Sequence, residues 1–154
     1  GYDTVTNTLT CLNLSATGTA TLATGAVLNT PASGNLSNCT VDGTNKVGYL
    51  IIPQNNQNTN YTLVAADAGK HIYNASGSSV TYTIPANASV AYTIGTAITF
   101  VNMASSSATI SITSDTMYLS GTGATGSRTL AQYGTATAIK LTSTTWIISG
   151  TGLT

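Results

Sequence analysis

Glutamate is absent from this 154-residue sequence, and only 5 % of its residues are Asp, Glu, Lys or Arg, against about 25 % in an ordinary soluble domain. Acid–base catalysis, metal capture and phosphate binding all draw on ionisable groups. Here Asp3, Asp42, Asp67, Asp115, Lys46, Lys70, Lys140, Arg128 and His71 must serve for everything. One histidine without a Gly-x-Ser-x-Gly elbow excludes the usual serine triad. Four Asp far apart in sequence lack the paired carboxylates of glycoside hydrolysis. No zinc or EF-hand spacing is present either. These scarcities predict a chain with no catalytic residue, no metal site and no cofactor: a structural part, not an enzyme.

Other absences narrow the partners. The net charge is zero and the charges are scattered, so no basic stripe exists to neutralise nucleic acid or anionic lipid. No apolar run approaches the 18 or more residues of a membrane span, and residues 1–10 lack the pattern of a signal peptide. A nearly neutral surface repels itself little, which favours a permanent oligomer. The two cysteines, Cys11 and Cys39, lie in the first quarter of the chain. They read most simply as small, partly buried apolar residues, with pairing left open.

What is abundant is threonine, about a fifth of the chain, within an apolar share of 42 %. That is too hydrophobic for intrinsic disorder, and the length suits one domain plus an appendage. Helix periodicity with capping residues does not recur, whereas period-two alternation does. Val80, Tyr82 and Ile84 alternate with threonines and stop at Pro85; Val90, Tyr92 and Ile94 repeat the pattern and stop at Gly95. Residues 98–103 are apolar almost throughout, as in a strand covered on both faces, and Ala108, Ile110 and Ile112 follow a polar loop, which predicts a hairpin. Residues 117–119, 136–141 and 146–148 complete the set, with breaks at the glycine-rich 121–126 and at 143–145. About seven or eight short strands spaced by turns predict an all-β fold, an antiparallel β-sandwich or jelly-roll-like domain over 46–154.

Residues 1–45 read differently, as an extended β-rich N-terminal arm and connector. After Tyr2 they hold no aromatic, and Leu9, Leu12, Leu14, Leu22 and Leu28 fall in very short apolar groups. Leu9 and Cys11 share one register and Leu12 and Leu14 the other, so a bulge near Cys11 is expected. Thin strands with one apolar row cannot bury it alone. Either the domain, a sister subunit or another protein covers these leucines, which makes them candidate assembly contacts. Arg128, the only arginine, is a sixth candidate, since its planar fork makes several directed bonds; a solvated loop arginine is the plainer alternative. Trp146 sits in a strand pattern and reads as core before sugar platform. His71, following Asp67 and Lys70, suits a tight turn between strands.

Several stretches from Ile51 onward carry a resemblance. They are Ile52-Pro53-Gln54-Asn55, Tyr61-Thr62-Leu63-Val64, Asp67-Ala68-Gly69-Lys70-His71-Ile72, Thr83-Ile84-Pro85-Ala86-Asn87, Ile94 to Asn102, and Gly126-Ser127-Arg128-Thr129-Leu130-Ala131 through Lys140, Trp146 and Gly150 to Leu153. In this order they resemble a module found in virion structural proteins of tailed bacteriophages. The connector Asn29 to Thr40 resembles the linker that often precedes it, although Val41 stands where a Gly commonly follows. Members serve as head decoration, tail fibre or other structural proteins, so the resemblance implies a phage particle without giving the place. Read as a complete chain, the sequence has room for an arm and one domain only. That economy leads to a capsid decoration or cement protein: a homotrimer on the virion capsid surface, assembled in the host bacterial cytoplasm and partnered by the major capsid protein. The alternative is a tail-fibre or receptor-binding module whose Tyr, Trp, Asn and Thr surface recognises host glycan.

Overall fold

A computed structural model of the chain describes residues 51–154. The strands are β1 (Gln54–Asn56), β2 (Tyr61–Thr62), β3 (His71–Asn74), β4 (Val80–Ile84), β5 (Ala97–Asn102), β6 (Ala108–Ile112), β7 (Thr116–Leu119), β8 (Arg128–Thr142) and β9 (Thr145–Leu153). Among the described residues the helical content is a single 3-10 turn, Ala65–Asp67. The all-β class follows from the supply of β-branched and aromatic residues at alternate positions, which suits a pleated surface buried on one side.

The strands form one curled mixed sheet, in the order β1-β3-β5-β8-β6-β4-β2, with β9 on the far side of β8 and β7 beyond it. Two parallel ladders make up most of it. In one, β1, β3 and β5 lie side by side; in the other, β2, β4 and β6 do. The chain therefore visits the ladders alternately, laying β3 then β4 as one rung and β5 then β6 as the next.

Three expectations are corrected. The pairing is not antiparallel throughout, because five pairs are parallel. The expected hairpin between 98–103 and 108–112 does not form. Those segments are β5 and β6, which turn a corner between them and pair with β3 and β4 instead. Alternation reports which face is buried and says nothing about the neighbour's direction, so both arrangements look alike in sequence. Finally, residues 90–94 form no strand. Tyr92 is buried, but the backbone groups of this segment bond locally, with Val90 N–H donating to Ala86 O over 3.0 Å and Tyr92 N–H to Val90 O over 2.9 Å. The strand predicted at 136–141 is the second half of the longer β8. The expected domain boundary at 45/46, the arm, Leu9, Leu12, Leu14, Leu22, Leu28, Cys11 and Cys39 lie outside the described residues.

One strand, β8, joins the ladders. Its start pairs antiparallel with β6 through Arg128 to Leu130, and its later part with β5 through Gly134 to Ile139. Between these segments the strand bends. Tyr133 has φ 62°, and the register against β9 shifts between Leu130 and Thr135. A β-bulge with a left-handed residue is the usual device for turning a strand this way. Facing side chains from both ladders then share one core, with Ile72, Ile98 and Phe100 on one side and Tyr82, Ile84 and Ile110 on the other. Tyr82 and Phe100 stack across it at 6.0 Å between centroids. Each such fully buried side chain contributes about 1.5–3 kcal/mol of hydrophobic stabilisation.

Candidate functional site

Three groups of polar residues stand out: a buried corner, a buried lysine cluster, and the outer face of the sheet. The corner is where each rung turns from the first ladder to the second. Asn74 ends β3 and Asn102 ends β5, and both are fully buried. Asn74 Nδ2 donates to Asn102 Oδ1 at 3.1 Å, and Asn102 Nδ2 donates onward to Leu130 O at 3.1 Å and Ser106 O at 2.9 Å. Each Oδ1 also accepts the backbone N–H two residues later, from Ser76 at 3.0 Å and from Ala104 at 3.3 Å. Asparagine suits this position because its side chain mimics the backbone and folds the chain into an Asx-type turn.

Asp67 closes the preceding turn. It is 1 % exposed and accepts from Asn55 Nδ2 at 2.7 Å, Tyr61 O–H at 3.0 Å and Val64 N–H at 2.9 Å. It therefore binds its own turn and makes no bond to His71. The His71 ring lies 3.1 Å from Ile52 O and 3.2 Å from Gln54 Nε2. Burial, together with the neighbouring Asp67 carboxylate, raises the pKa of the Tyr61 phenol. Burial raises Tyr92 further, and the Asp67 charge adds to it; Tyr92 O–H is held by Val64 O at 2.6 Å.

Lys140 points inward from β8 and is 1 % exposed. Its Nζ donates to Asn87 Oδ1 at 2.9 Å, stands 3.8 Å from Asp115 Oδ2, and lies 5.1 Å above the Trp146 ring. Asp115 Oδ1 accepts the Asn87 backbone N–H at 3.3 Å. Asp115 Oδ2 and Trp146 Nε1 are buried without a hydrogen-bond partner. Tyr92 meets Trp146 edge-on, 5.6 Å between centroids at 84°. Trp146 is thus core, as its strand pattern predicts.

The outer face carries hydroxyl groups in register. Thr62, Thr83 and Ser111 form one row across β2, β4 and β6, and Thr81, Thr109 and Thr129 form another across β4, β6 and β8. On the other ladder, Gln54, His71, Thr99, Thr137 and Ser149 make a third row. Neighbouring hydroxyls bond to each other, Ser111 Oγ to Thr83 Oγ1 at 2.9 Å and Thr99 to Thr137 at 3.0 Å. Beside the third row runs an apolar one, Ala97, Ile139, Ile147 and Tyr118, with Ile139 and Tyr118 each 40 % exposed.

Of the candidate contacts read from the sequence, Arg128 is the one within the described residues. It opens β8 opposite Ile110, and its Nε and Nη2 are buried with no hydrogen-bond partner. Among the described residues, no cluster of three or more His, Cys, Asp or Glu could hold a metal ion.

The Asn corner and the lysine cluster escape a motif search, but one signal points to the first. Residues 71–84 and 99–112 repeat at an offset of 28. Asn74 matches Asn102, Ser78-Ser79 matches Ser106-Ser107, Thr81 matches Thr109, and Ile84 matches Ile112. Self-similarity at a fixed period marks stacked rungs. Asn87 and Asp115 lie at the same offset. The chain matches no protein-family model and no curated protein.

Proposed function

We propose that this chain is a structural protein of a tailed-phage particle: a capsid decoration or cement protein, acting as a homotrimer, that binds and stabilises the major capsid protein shell from outside. The reading rests on the sequence resemblance, and the outer face is the observation that supports it best. Rows of Thr and Ser hydroxyls beside an apolar row offer many weak, directional contacts and very little charge. Repeated over a lattice, such contacts add by mass action. In the same reading the arm 1–45 with its leucines bridges neighbouring capsid proteins, the curled sheet packs as a jelly-roll-like wrap, and no substrate is turned over.

Copy number per virion, with a reconstruction of the particle, tests the proposal. Stoichiometry near that of the major capsid protein, with density on the shell, is the expected result; density on tails alone would reject it. With so few charges, retention on capsids changes little between low and moderate salt. Wholesale release over that range would contradict the contact chemistry.

A receptor-binding role is the second reading, and Tyr133 favours it. This side chain is 70 % exposed on a residue whose φ of 62° a non-glycine rarely adopts, and such strain gathers at functional positions. An exposed ring of this kind can stack on a sugar. Blocking of adsorption by the purified protein, lost in Tyr133→Ala, would favour this role over decoration.

A further inference from the structure

We propose that Lys140 and Asn87 are joined by an intramolecular isopeptide bond, formed by the protein itself with Asp115 as the proton carrier. Three observations meet at this place. The amine nitrogen lies 2.9 Å from the Asn87 side-chain oxygen, beside the amide group it would attack. The Asp115 carboxylate stands 3.8 Å from the amine, and the Lys140 and Asp115 side chains are sealed from solvent, 1 % and 4 % exposed. The walls are aromatic, with Trp146 under the amine and Tyr92 edge-on to it.

As an ion pair the arrangement is poor. Two charges are buried, yet Asp115 Oδ2 has no hydrogen bond, and a buried pair repays its desolvation only when its remaining polar atoms are satisfied. As a reaction site it is well assembled: nucleophile, electrophile and base are held together, with the amine and the carboxylate withdrawn from water. Asp115 takes a proton from the Lys140 ammonium, and the free amine attacks Cγ of Asn87. The new C–N bond forms as the carbonyl electrons move to Oδ1. The tetrahedral centre then collapses, the bond from Cγ to Nδ2 breaks, and ammonia leaves. Of the three ammonium protons, one stays on the new amide, one completes the ammonia, and one remains on Asp115. No oxidant or other co-reactant is needed, and two buried charges become a neutral amide.

The bond would tie the turn after β4 to the far end of β8, across a sequence separation of 53 residues. It is a single self-modification, independent of which particle the protein serves, and so stands or falls separately from the decoration role.

Intact mass of the folded wild-type chain is the test. The expected mass is that of the sequence less one ammonia. Tryptic digestion should leave Lys140 uncleaved and yield one branched peptide, residues 71–128 joined to 129–154. Full sequence mass, or separate 71–128, 129–140 and 141–154 peptides, would overturn the proposal, as would loss of ammonia mapped to another residue. Asp115→Ala, if its circular dichroism matches the wild type, should show full mass; retention of the ammonia loss in that variant would remove Asp115 from the mechanism. The wild-type measurement decides the bond even if the variant fails to fold.

Discussion

Asn74 donates its side-chain amide to the side-chain oxygen of Asn102 across 3.1 Å, so one rung of the sheet is tied to the next inside the core. Asn102 carries the larger load, because it also holds Leu130 O and Ser106 O and accepts from Ala104 N–H. Asn102→Ala strands all of these partners in a dry corner. A loss of about 3 kcal/mol is expected, with Asn74→Ala losing less, and urea unfolding of the two variants checks the order.

Asp67→Ala removes the acceptor of three donors: the Asn55 amide, the Tyr61 hydroxyl and the Val64 N–H. The expected destabilisation is about 2–3 kcal/mol. Asp67→Asn keeps one acceptor oxygen and should fall between, which thermal unfolding of the pair will show. The His71 ring bonds elsewhere, so His71→Ala should leave the Asp67 turn intact.

Two glycines should behave very differently when changed to alanine. A Cβ at Gly150 would run into the Thr135 carbonyl and the Ala136 backbone, while one at Gly123 meets open space. Neither backbone wall at Gly150 can swing aside, so Gly150→Ala should cost at least about 3 kcal/mol or abolish soluble expression. Gly123 has φ +72°, and Gly123→Ala should cost only the left-handed backbone term, about 1–2 kcal/mol.

Stability should fall at alkaline pH. Burial pushes the Tyr82 phenol up to about 12, and Tyr92 and Tyr61 are raised as well. Above about pH 10 the unfolded chain releases these protons while the folded chain keeps them, so the unfolded state binds fewer and stability declines as pH rises. The loss begins near the ordinary tyrosine value and continues until the folded phenols ionise. Denaturant unfolding across this range, followed with phenolate absorbance, should show a decline that Tyr82→Phe makes shallower. An unchanged slope in Tyr82→Phe would remove Tyr82 as a cause.

Much of the burial pattern is legible in the sequence. Val80, Tyr82 and Ile84 face the core and the threonines between them face out, because alternation is a local property that one face of a sheet reads directly. Residues 90–94 show the limit. Their alternation is as clear, yet Tyr92 is buried and Val90 packs against the core with no strand to carry them, since a strand needs a neighbour with free backbone groups. The Asn corner left a trace in the 28-residue repeat. Lys140, Asp115 and Asn87 left almost none, because a lysine 53 residues from its hydrogen-bond partner carries no spacing to recognise.

By itself the sequence determined the β class, the hydroxyl-rich and nearly uncharged outer surface, and which side chains of a strand such as β4 turn inward, since composition and period-two patterning are set one residue at a time. Only the tertiary structure decided that β5 lies along β3 and not against β6, that β8 bends to serve both ladders, and that an amine, an amide and a carboxylate meet in one place. Those outcomes depend on where the chain returns to itself. Backbone pairing and core closure select that path among many with the same alternation.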